Sequence, residues 1–171
     1  MRVIEVVQFR EDWAELFEKE KELIVSRLAL KGIAIHHIGS TSVRGLAAKP
    51  IIDILLEVED VVMLDEFGEI FKSLDYECMG EFGIPGRRYY QKGGDKRTHQ
   101  MHAFERESPN AIRHIAFKEY LKAHEDVSKK YAELKKEVAR SCNNDIEKYY
   151  DGKAEFVTKY EKLAVKWWKN G

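Results

Sequence analysis

The chain has 171 residues, of which 44% are hydrophobic and 35% charged, and its formal net charge is −1. This length suits one domain with a sizeable core, so we predict a single domain over residues 1–171. The near-neutral charge argues against general nucleic-acid binding. No apolar run is long enough to span a bilayer and no signal-peptide pattern is found, so we expect a cytoplasmic protein without a membrane partner.

The first part of the chain mixes helix and strand patterns. Apolar residues at spacings of three, four and seven predict a helix over residues 12–31, which Gly32 ends. Alternating β-branched residues predict a strand over 33–38. The apolar run at 51–58 predicts a strand covered on both faces, and a second amphipathic helix is predicted over 61–74.

A predicted hairpin and a helical segment complete the chain. The hairpin strands are RRYYQK (87–92) and THQMHAFE (98–105), which follow glycine-rich turns. Residues 108–109, Ser-Pro, begin the helical segment. Within it, residues 143–145 and the Asp-Gly pair at 151–152 are predicted to separate successive helices.

These elements predict an α+β fold with a small mixed sheet backed by helices. We place the mixed α/β core at about residues 1–107 and a helical C-terminal part at about 108–171. No repeat or composition break indicates a second domain.

A Gly-Ser turn at the end of the strand over 33–38 is the first candidate site. Such a turn presents free backbone N–H groups and hydroxyls, which suit a phosphate. The candidate phosphate-binding residues are Gly39, Ser40, Thr41 and Ser42. The pattern is not a P-loop, and an ordinary N-cap by one of the hydroxyls is the alternative interpretation.

Asp53 lies within the apolar run that predicts the strand over 51–58. A buried carboxylate is unfavourable unless it is paired or bound to a metal. Lys49 is the candidate partner for a structural ion pair, whereas a divalent cation, Mg²⁺ or Mn²⁺, would make Asp53 a metal ligand with phosphates completing the shell. His37 precedes the Gly-Ser turn and is a further candidate, with a hydrogen-bonded structural histidine as the alternative.

The predicted hairpin carries histidine and basic-aromatic candidates. His99 and His102 are three residues apart and therefore point to opposite faces of a strand, and we favour His102 as a metal ligand. Arg88, Tyr90 and Lys92 share one face, which suits a triphosphate and a stacked base. A solvated edge strand is the alternative.

Lys49 and Lys153 are further candidates for phosphate binding, and Lys153 follows Gly152. Arg87, which follows the Pro-Gly turn that precedes the hairpin, is another candidate site residue without an assigned role. Lys153 could reach a phosphate across a cleft, and a surface lysine is the alternative interpretation.

The Gly-Ser turn followed by an aspartate on the next strand resembles the signature of the polymerase-β-like nucleotidyltransferase superfamily. The whole segment HIGSTSVRGLAAKPIIDI resembles the GrpB family, which is assigned to that fold. Four later segments resemble GrpB segments in the same order: GIPGRRYYQK, RTHQMHAFE, HIAFKEYLKAH and YYDGKAEFV. The resemblance covers nearly the whole chain and implies a nucleotidyltransferase-like fold.

The resemblance also implies a function. Gly39 and Ser40 would hold the phosphates of a nucleoside triphosphate, and Asp53 would bind a divalent metal, Mg or Mn. The implied reaction is metal-dependent transfer of a nucleoside monophosphate to an unknown acceptor, with release of pyrophosphate. The implied partner is a nucleoside triphosphate or a related phosphate-bearing small molecule, and a homo-oligomer is compatible with the sequence.

One departure from the superfamily pattern gives a second hypothesis. The pattern has a second acid two residues after the first, where this chain has Leu55. A third acid would come from a later strand, on which His99, His102 and Glu105 are the nearest candidates. His102 could replace the missing acid as a catalytic metal ligand. Alternatively, the chain is a catalytically weak or inactive module that binds a nucleotide or a CoA-type ligand.

Overall fold

Five strands form one mixed sheet in the computed structural model, which describes residues 1–171. The strands are β1 (Ala34–Ile38), β2 (Ile52–Val58), β3 (Tyr76–Cys78), β4 (Arg88–Lys92) and β5 (His99–Glu105), in the spatial order β1-β2-β5-β4-β3. β2 and β5 are parallel, and all other neighbouring pairs are antiparallel. The predicted mixed sheet and the β4–β5 hairpin are therefore confirmed.

Five α-helices surround this sheet. They are α1 (Trp13–Leu28), α2 (Gly68–Ser73), α3 (Pro109–Ala123), α4 (Glu125–Ser141) and α5 (Ile146–Asn170). At the start of α3 the Ser108 side chain accepts a hydrogen bond from the Ala111 N–H, which is the cap that the Ser-Pro pair predicts. None of the helices combines the length and the apolar character needed to cross a membrane.

The two faces of the sheet are covered by different helices. On one face Ile54 and Met101 belong to the largest core cluster, which includes Trp13 of α1 and Phe71 of α2. On the other face Leu55 packs with α3 in a small cluster of Ile38, Leu55, Phe104 and Ala111. Because side chains alternate along β2, Asp53 lies on the same face as Leu55, and it is paired across the sheet with Ile38 of this small cluster.

Two local predictions need correction in the first half of the chain. The helix predicted over 61–74 is a 3₁₀ helix, Val61–Phe67, followed by the short α2. The Asp60 side chain accepts from the Val62 N–H and begins this segment. β3 was not predicted, because its three residues lie next to glycine-rich turns that dominate the local sequence pattern.

The predicted break at residues 151–152 is wrong, because α5 continues through both residues. A Cβ atom on Gly152 would lie only 2.6 Å from Val138 Cγ1, so this glycine allows α5 to approach α4 closely. The predicted break at 143–145 is confirmed. There Asn143 and Asn144 adopt positive φ angles, and α5 begins directly after this segment.

Candidate functional site

A cleft of about 560 Å³ lies between the Asp53 face of the sheet and the C-terminal helices. Its floor includes the Gly-Ser turn and strands β2, β4 and β5, and its opposite wall is built by α3, α4 and α5. The helical part of the chain therefore supplies one wall of the site.

The Gly-Ser turn makes direct contact with Asp53. Gly39 has a φ angle of 72°, in the left-handed region that favours glycine. A Cβ atom there would lie 2.6 Å from Asp53 Oδ2, so no larger residue fits without movement. The turn continues as a single 3₁₀ turn, Ser40–Ser42, in which the Ser42 hydroxyl donates to the Gly39 carbonyl oxygen.

The carboxylate of Asp53 is partly exposed to the cleft and forms no ion pair with a lysine. Its side chain is 27% exposed, and the His102 Nε2 atom lies 3.6 Å from Asp53 Oδ1. The Gln100 amide, in the orientation that satisfies both of its ends, donates to Asp53 Oδ1 at 3.2 Å and accepts from Arg97 at 3.3 Å. The structural alternative, an ion pair with Lys49, is not formed.

His102 lies between Asp53 and a guanidinium group. Its Nδ1 atom is 3.3 Å from Arg87 Nη1, and its ring is tilted against the rings of Tyr89 and His114. Burial, together with the nearby His102 and arginine side chains, holds the pKa of His114 well below its usual range. His114 is therefore neutral at physiological pH.

Three lysines from separate elements line the cleft, and none of them forms an ion pair. Lys135 of α4 is 2% exposed, and its ammonium donates to Ser40 Oγ at 2.7 Å and to the Ala47 carbonyl oxygen at 2.6 Å. Lys49, which precedes β2, and Lys153, on α5, also line the cleft. We call Lys49, Lys135 and Lys153 the lysine cluster.

Aromatic side chains surround the lysine cluster. Lys49 Nζ lies 4.8 and 5.0 Å from the ring centroids of Tyr149 and Tyr150. Lys153 Nζ donates to the Tyr131 hydroxyl at 3.4 Å. These rings favour a cation electrostatically but do not neutralise it.

Burial and mutual repulsion lower the pKa values of two lysines of the cluster, whereas for Lys153 the effect of burial is outweighed by the neighbouring tyrosines, which raise its pKa. Burial first, and then the charge of Lys153, lower the pKa of Lys49 to about 7. Burial and the charges of the other two lysines hold the pKa of Lys135 well below its usual range. An anion bound in the cleft would stabilise the charged form of both side chains.

The model of the family described as GrpB protein matches residues 3–163. The chain belongs to the GrpB family. It is 45% identical to the UPF0157 protein YqkA of Bacillus subtilis over 98% of its own length, and it spans 49% of that protein. It is 36% identical to the glutamate-rich protein GrpB of Alkalihalophilus pseudofirmus, and this match covers 89% of the chain and 90% of the relative.

Solved structures agree with this assignment. The crystal structure of the conserved protein GrpB from Enterococcus faecalis superimposes with a TM-score of 0.91 at 40% identity, covering 96% of this chain and 99% of that one. The structure of the GLD-2/RNP-8 complex superimposes with a TM-score of 0.51 at 12% identity, over 75% of this chain and 46% of that one. The second match concerns the fold alone, and it confirms the predicted nucleotidyltransferase-like fold.

Several predicted site residues of this GrpB-family chain line the cleft, whereas others do not. Residues that line it are Gly39, Ser40, Thr41, Lys49, Asp53, Arg87, His102 and Lys153. Arg88 and Tyr90 lie on the opposite face of the sheet, because alternation along β4 puts Arg87 and Tyr89 at the cleft. Arg88 pairs with Asp65 at 2.8 Å, and Tyr90 stacks on Phe71 in the core.

His99 and Lys92 also lie on the face opposite the cleft. Both contact the buried carboxylate of Glu20, with Lys92 Nζ at 2.9 Å and His99 Nε2 at 3.5 Å. The Tyr76 hydroxyl donates to the same carboxylate at 2.9 Å. The predicted basic-aromatic face of β4 is therefore part of the packing against α1 and α2.

His37 has the structural role that was the alternative in the sequence. Its ring stacks on Phe17 with the centroids 4.8 Å apart, and its Nε2 atom lies 2.9 Å from Thr41 Oγ1. Burial, and then the charge of Lys118, lower the pKa of His37 to about 4, so the ring is neutral. The His37 side chain therefore stabilises the Gly-Ser turn through its contact with Thr41.

Sequence reasoning identified Lys153 on α5 but missed the other cleft residues of α4 and α5, above all Lys135. A signal was present, because Lys135 is four residues after Tyr131 and three before Val138 on the buried stripe of α4. A lysine at such a position must bring its ammonium to a polar partner. Tyr149 and Tyr150 carry no comparable signal, because tyrosines in a helix pattern are typical of ordinary packing.

The residues of the cleft do not fit a resident divalent metal. No three His, Cys, Asp or Glu side chains are grouped so that they could hold an ion. Asp53 and His102 supply two donors, and Leu55 is fully buried in the core. The Arg87 guanidinium beside His102 adds a positive charge that opposes a cation there.

Proposed function

We propose that the cleft binds a nucleoside triphosphate or a related phosphate-bearing small molecule, including CoA-type ligands. The observation that carries this proposal is the lysine cluster, whose three side chains line the cleft without a carboxylate partner and whose Lys135 contacts Ser40 of the Gly-Ser turn. An ammonium that is buried or half-buried without a carboxylate partner is unfavourable, which lowers the pKa values of Lys49 and Lys135, and a bound anion would stabilise their charged forms.

The arrangement suggests how such a ligand would be held. Phosphate oxygens would accept hydrogen bonds from Lys135 and from the hydroxyl of Ser40, which are already within hydrogen-bonding distance of each other. Lys153 of α5, and Lys49, which lies over the rings of Tyr149 and Tyr150, would contact the same anion. The exposed ring of Tyr150, which is 42% exposed, is available to stack on an aromatic base.

A thermal-shift panel tests this proposal on the full chain. We expect ATP and CoA to raise the melting temperature, whereas adenosine, which lacks phosphate, leaves it unchanged. Lys153→Met should abolish the shift, and the matched control Lys162→Met, at an exposed position of the same helix, should retain it. If no phosphate-bearing compound shifts the melting temperature, the proposal is wrong.

Metal-dependent nucleotidyl transfer to an unknown acceptor is the second candidate function. The observation that favours it is the contact between Gly39 and Asp53, because it joins the two halves of the superfamily signature. Binding without catalysis is the first candidate function because Leu55 occupies the position of the second acid in the superfamily signature.

Pyrophosphate release tests this second candidate. Each nucleoside triphosphate would be incubated with an acceptor panel and with Mg²⁺ or Mn²⁺. Enzymatic transfer predicts release that Asp53→Asn abolishes. Release that is equal in the wild-type chain and in Asp53→Asn would rule out Asp53-dependent transfer.

A further inference from the structure

The charge around the cleft is strongly asymmetric. Five cationic side chains line it, namely Lys49, Arg87, Arg113, Lys135 and Lys153, against two acidic side chains, Asp53 and Glu161. Glu161 is already neutralised, because its carboxylate pairs with Arg113 at 2.7 Å. Asp53 is therefore the only acidic side chain lining the cleft that pairs with no lysine or arginine. Its only ion-pair contact is with His102.

The lysine cluster is fixed in position rather than mobile on the surface. Lys135 is buried and is held by two hydrogen bonds, from its ammonium to Ser40 Oγ and to the Ala47 carbonyl oxygen. Lys153 is held by the Tyr131 hydroxyl, and Lys49 lies over two tyrosine rings. Preorganised cations of this kind can bind an anion without ordering flexible side chains first.

Basic side chains also lie around Asp53 and His102, where a divalent ion would have to bind. Arg87 lies against His102, and Asp53 lies within the field of Lys49 and Lys135. A single carboxylate whose neighbours are an arginine and lysines is a poor site for a divalent cation, because repulsion from the full charge of Arg87 and the partial charge of Lys49 opposes its attraction.

From this geometry we infer that the lysine cluster takes the place of a divalent metal, so that the cleft binds the diphosphate or triphosphate group of its ligand without a metal ion. This inference rests on the proposed function, which it deepens: the ligand class is a free polyphosphate or its nucleotide ester rather than a metal–nucleotide complex. Magnesium in solution would then compete with the protein for the phosphates.

Calorimetric titration of the full chain with ATP and with inorganic pyrophosphate tests this inference. Each titration would be done once with EDTA and once with excess Mg²⁺. We expect binding in EDTA, with an affinity equal to or higher than in Mg²⁺. Lys135→Met should weaken binding by about tenfold or more, as expected for the loss of a charged contact. The control Lys129→Met, at an exposed position of the same helix, should bind like the wild type.

The possible outcomes separate this inference from the proposed function. Binding that occurs only with Mg²⁺ would overturn the inference but leave the proposed function intact. Absence of binding under both conditions would overturn both. If circular dichroism shows that Lys135→Met does not fold, Lys153→Met replaces it in the titration. Unchanged affinity in a folded lysine variant would contradict the role of the lysine cluster.

Discussion

Lys49 is one of two residues, with Lys135, through which pH would act on the cleft. Lys49 precedes β2, it has no carboxylate partner, and burial with the nearby Lys153 lowers its pKa to about 7. Its Nζ atom lies over the rings of Tyr149 and Tyr150. A group with this pKa is about half protonated in the free protein near neutral pH, and a bound anion would favour its protonated form.

Ligand affinity should therefore fall as the pH rises above 7. An anion raises the pKa of Lys49 in the complex, so binding takes up a proton, and the affinity falls by up to about tenfold per pH unit. We would measure the ATP dissociation constant from about pH 7.5 to 9, where phosphate groups with a second pKa of about 6 are fully ionised. Lys49→Arg keeps its charge and should reduce the slope of the profile, leaving the part that comes from Lys135. An unchanged slope in this variant would assign the pH dependence to another group.

Leu55 is a core residue at the position of the absent second acid. It is completely buried and packs against Ile38, Phe104 and Ala111. Leu55→Asp would bury a carboxylate without a partner. We therefore expect it to lower the free energy of unfolding by more than Leu55→Ala, whose cost is about 2–5 kcal/mol.

Urea unfolding of both variants measures this difference. Leu55→Met preserves volume and serves as the control, with an expected loss below about 1.5 kcal/mol. A Leu55→Asp variant with wild-type stability would mean that this position can present an acid to the cleft, and the explanation given for the missing metal site would be wrong.

The Gly-Ser turn and Asp53 could be predicted from the sequence, because both belong to one continuous segment. The alternation of side chains along a strand also correctly predicted that His99 and His102 lie on opposite faces of the sheet. Alternation alone does not say which face of a strand meets which helix, and this is why Arg88 was expected at the site that Arg87 occupies. Lys135 is distant in sequence, and only the docking of α4 brings its ammonium to Ser40.

At the scale of elements, the position of α5 determines where Lys153 and the tyrosines of the cleft lie. α5 continues through Gly152 and packs against α4 at Val138. Since Gly152 directly precedes Lys153, close packing at the glycine places the lysine at the cleft. The Asp-Gly pair predicted a break because glycine usually weakens a helix, but here close contact between helices favours it.

Gly152→Ala should destabilise the fold, and Val138→Ala should relieve that effect. The added methyl group would lie 2.6 Å from Val138 Cγ1, and overpacking of this kind costs about 1–3 kcal/mol. In the Val138→Ala background the nearest remaining atom of that side chain would be Cβ at 3.3 Å. There the higher helix propensity of alanine should make Gly152→Ala neutral or stabilising by up to about 1 kcal/mol.

A double-mutant cycle by urea unfolding measures this coupling. We expect the double variant to be more stable than the sum of the two single substitutions would give. Additive effects of the two substitutions would mean that α5 shifts away from α4 without resistance, and the position of Lys153 would then not depend on Gly152.

At the scale of the whole molecule, the cleft joins two parts of the chain that are separate in sequence. One wall comes from the Gly-Ser turn and the sheet, and the other comes from α3, α4 and α5. Lys135 of α4 links the two walls, because its ammonium donates to Ser40 Oγ and to the Ala47 carbonyl oxygen. A polyphosphate in the cleft would contact both walls simultaneously and would link them.

Ligand binding should therefore protect both walls from amide hydrogen exchange. We expect slower exchange in peptides that contain the Gly39–Ser42 turn and in peptides from the first half of α5 around Lys153, because opening of either wall would break contacts with the ligand. At a ligand concentration of about one hundred times the dissociation constant, the stabilisation is about 2.7 kcal/mol, which corresponds to roughly hundredfold slower exchange by global opening. The measurement is hydrogen exchange with mass spectrometry, with and without pyrophosphate in EDTA, on the wild type and on Lys135→Met.

The Lys135→Met variant should lose protection of both walls together. Protection confined to one wall would show that the anion binds on one side only, and the two halves of the molecule would then not share a single site.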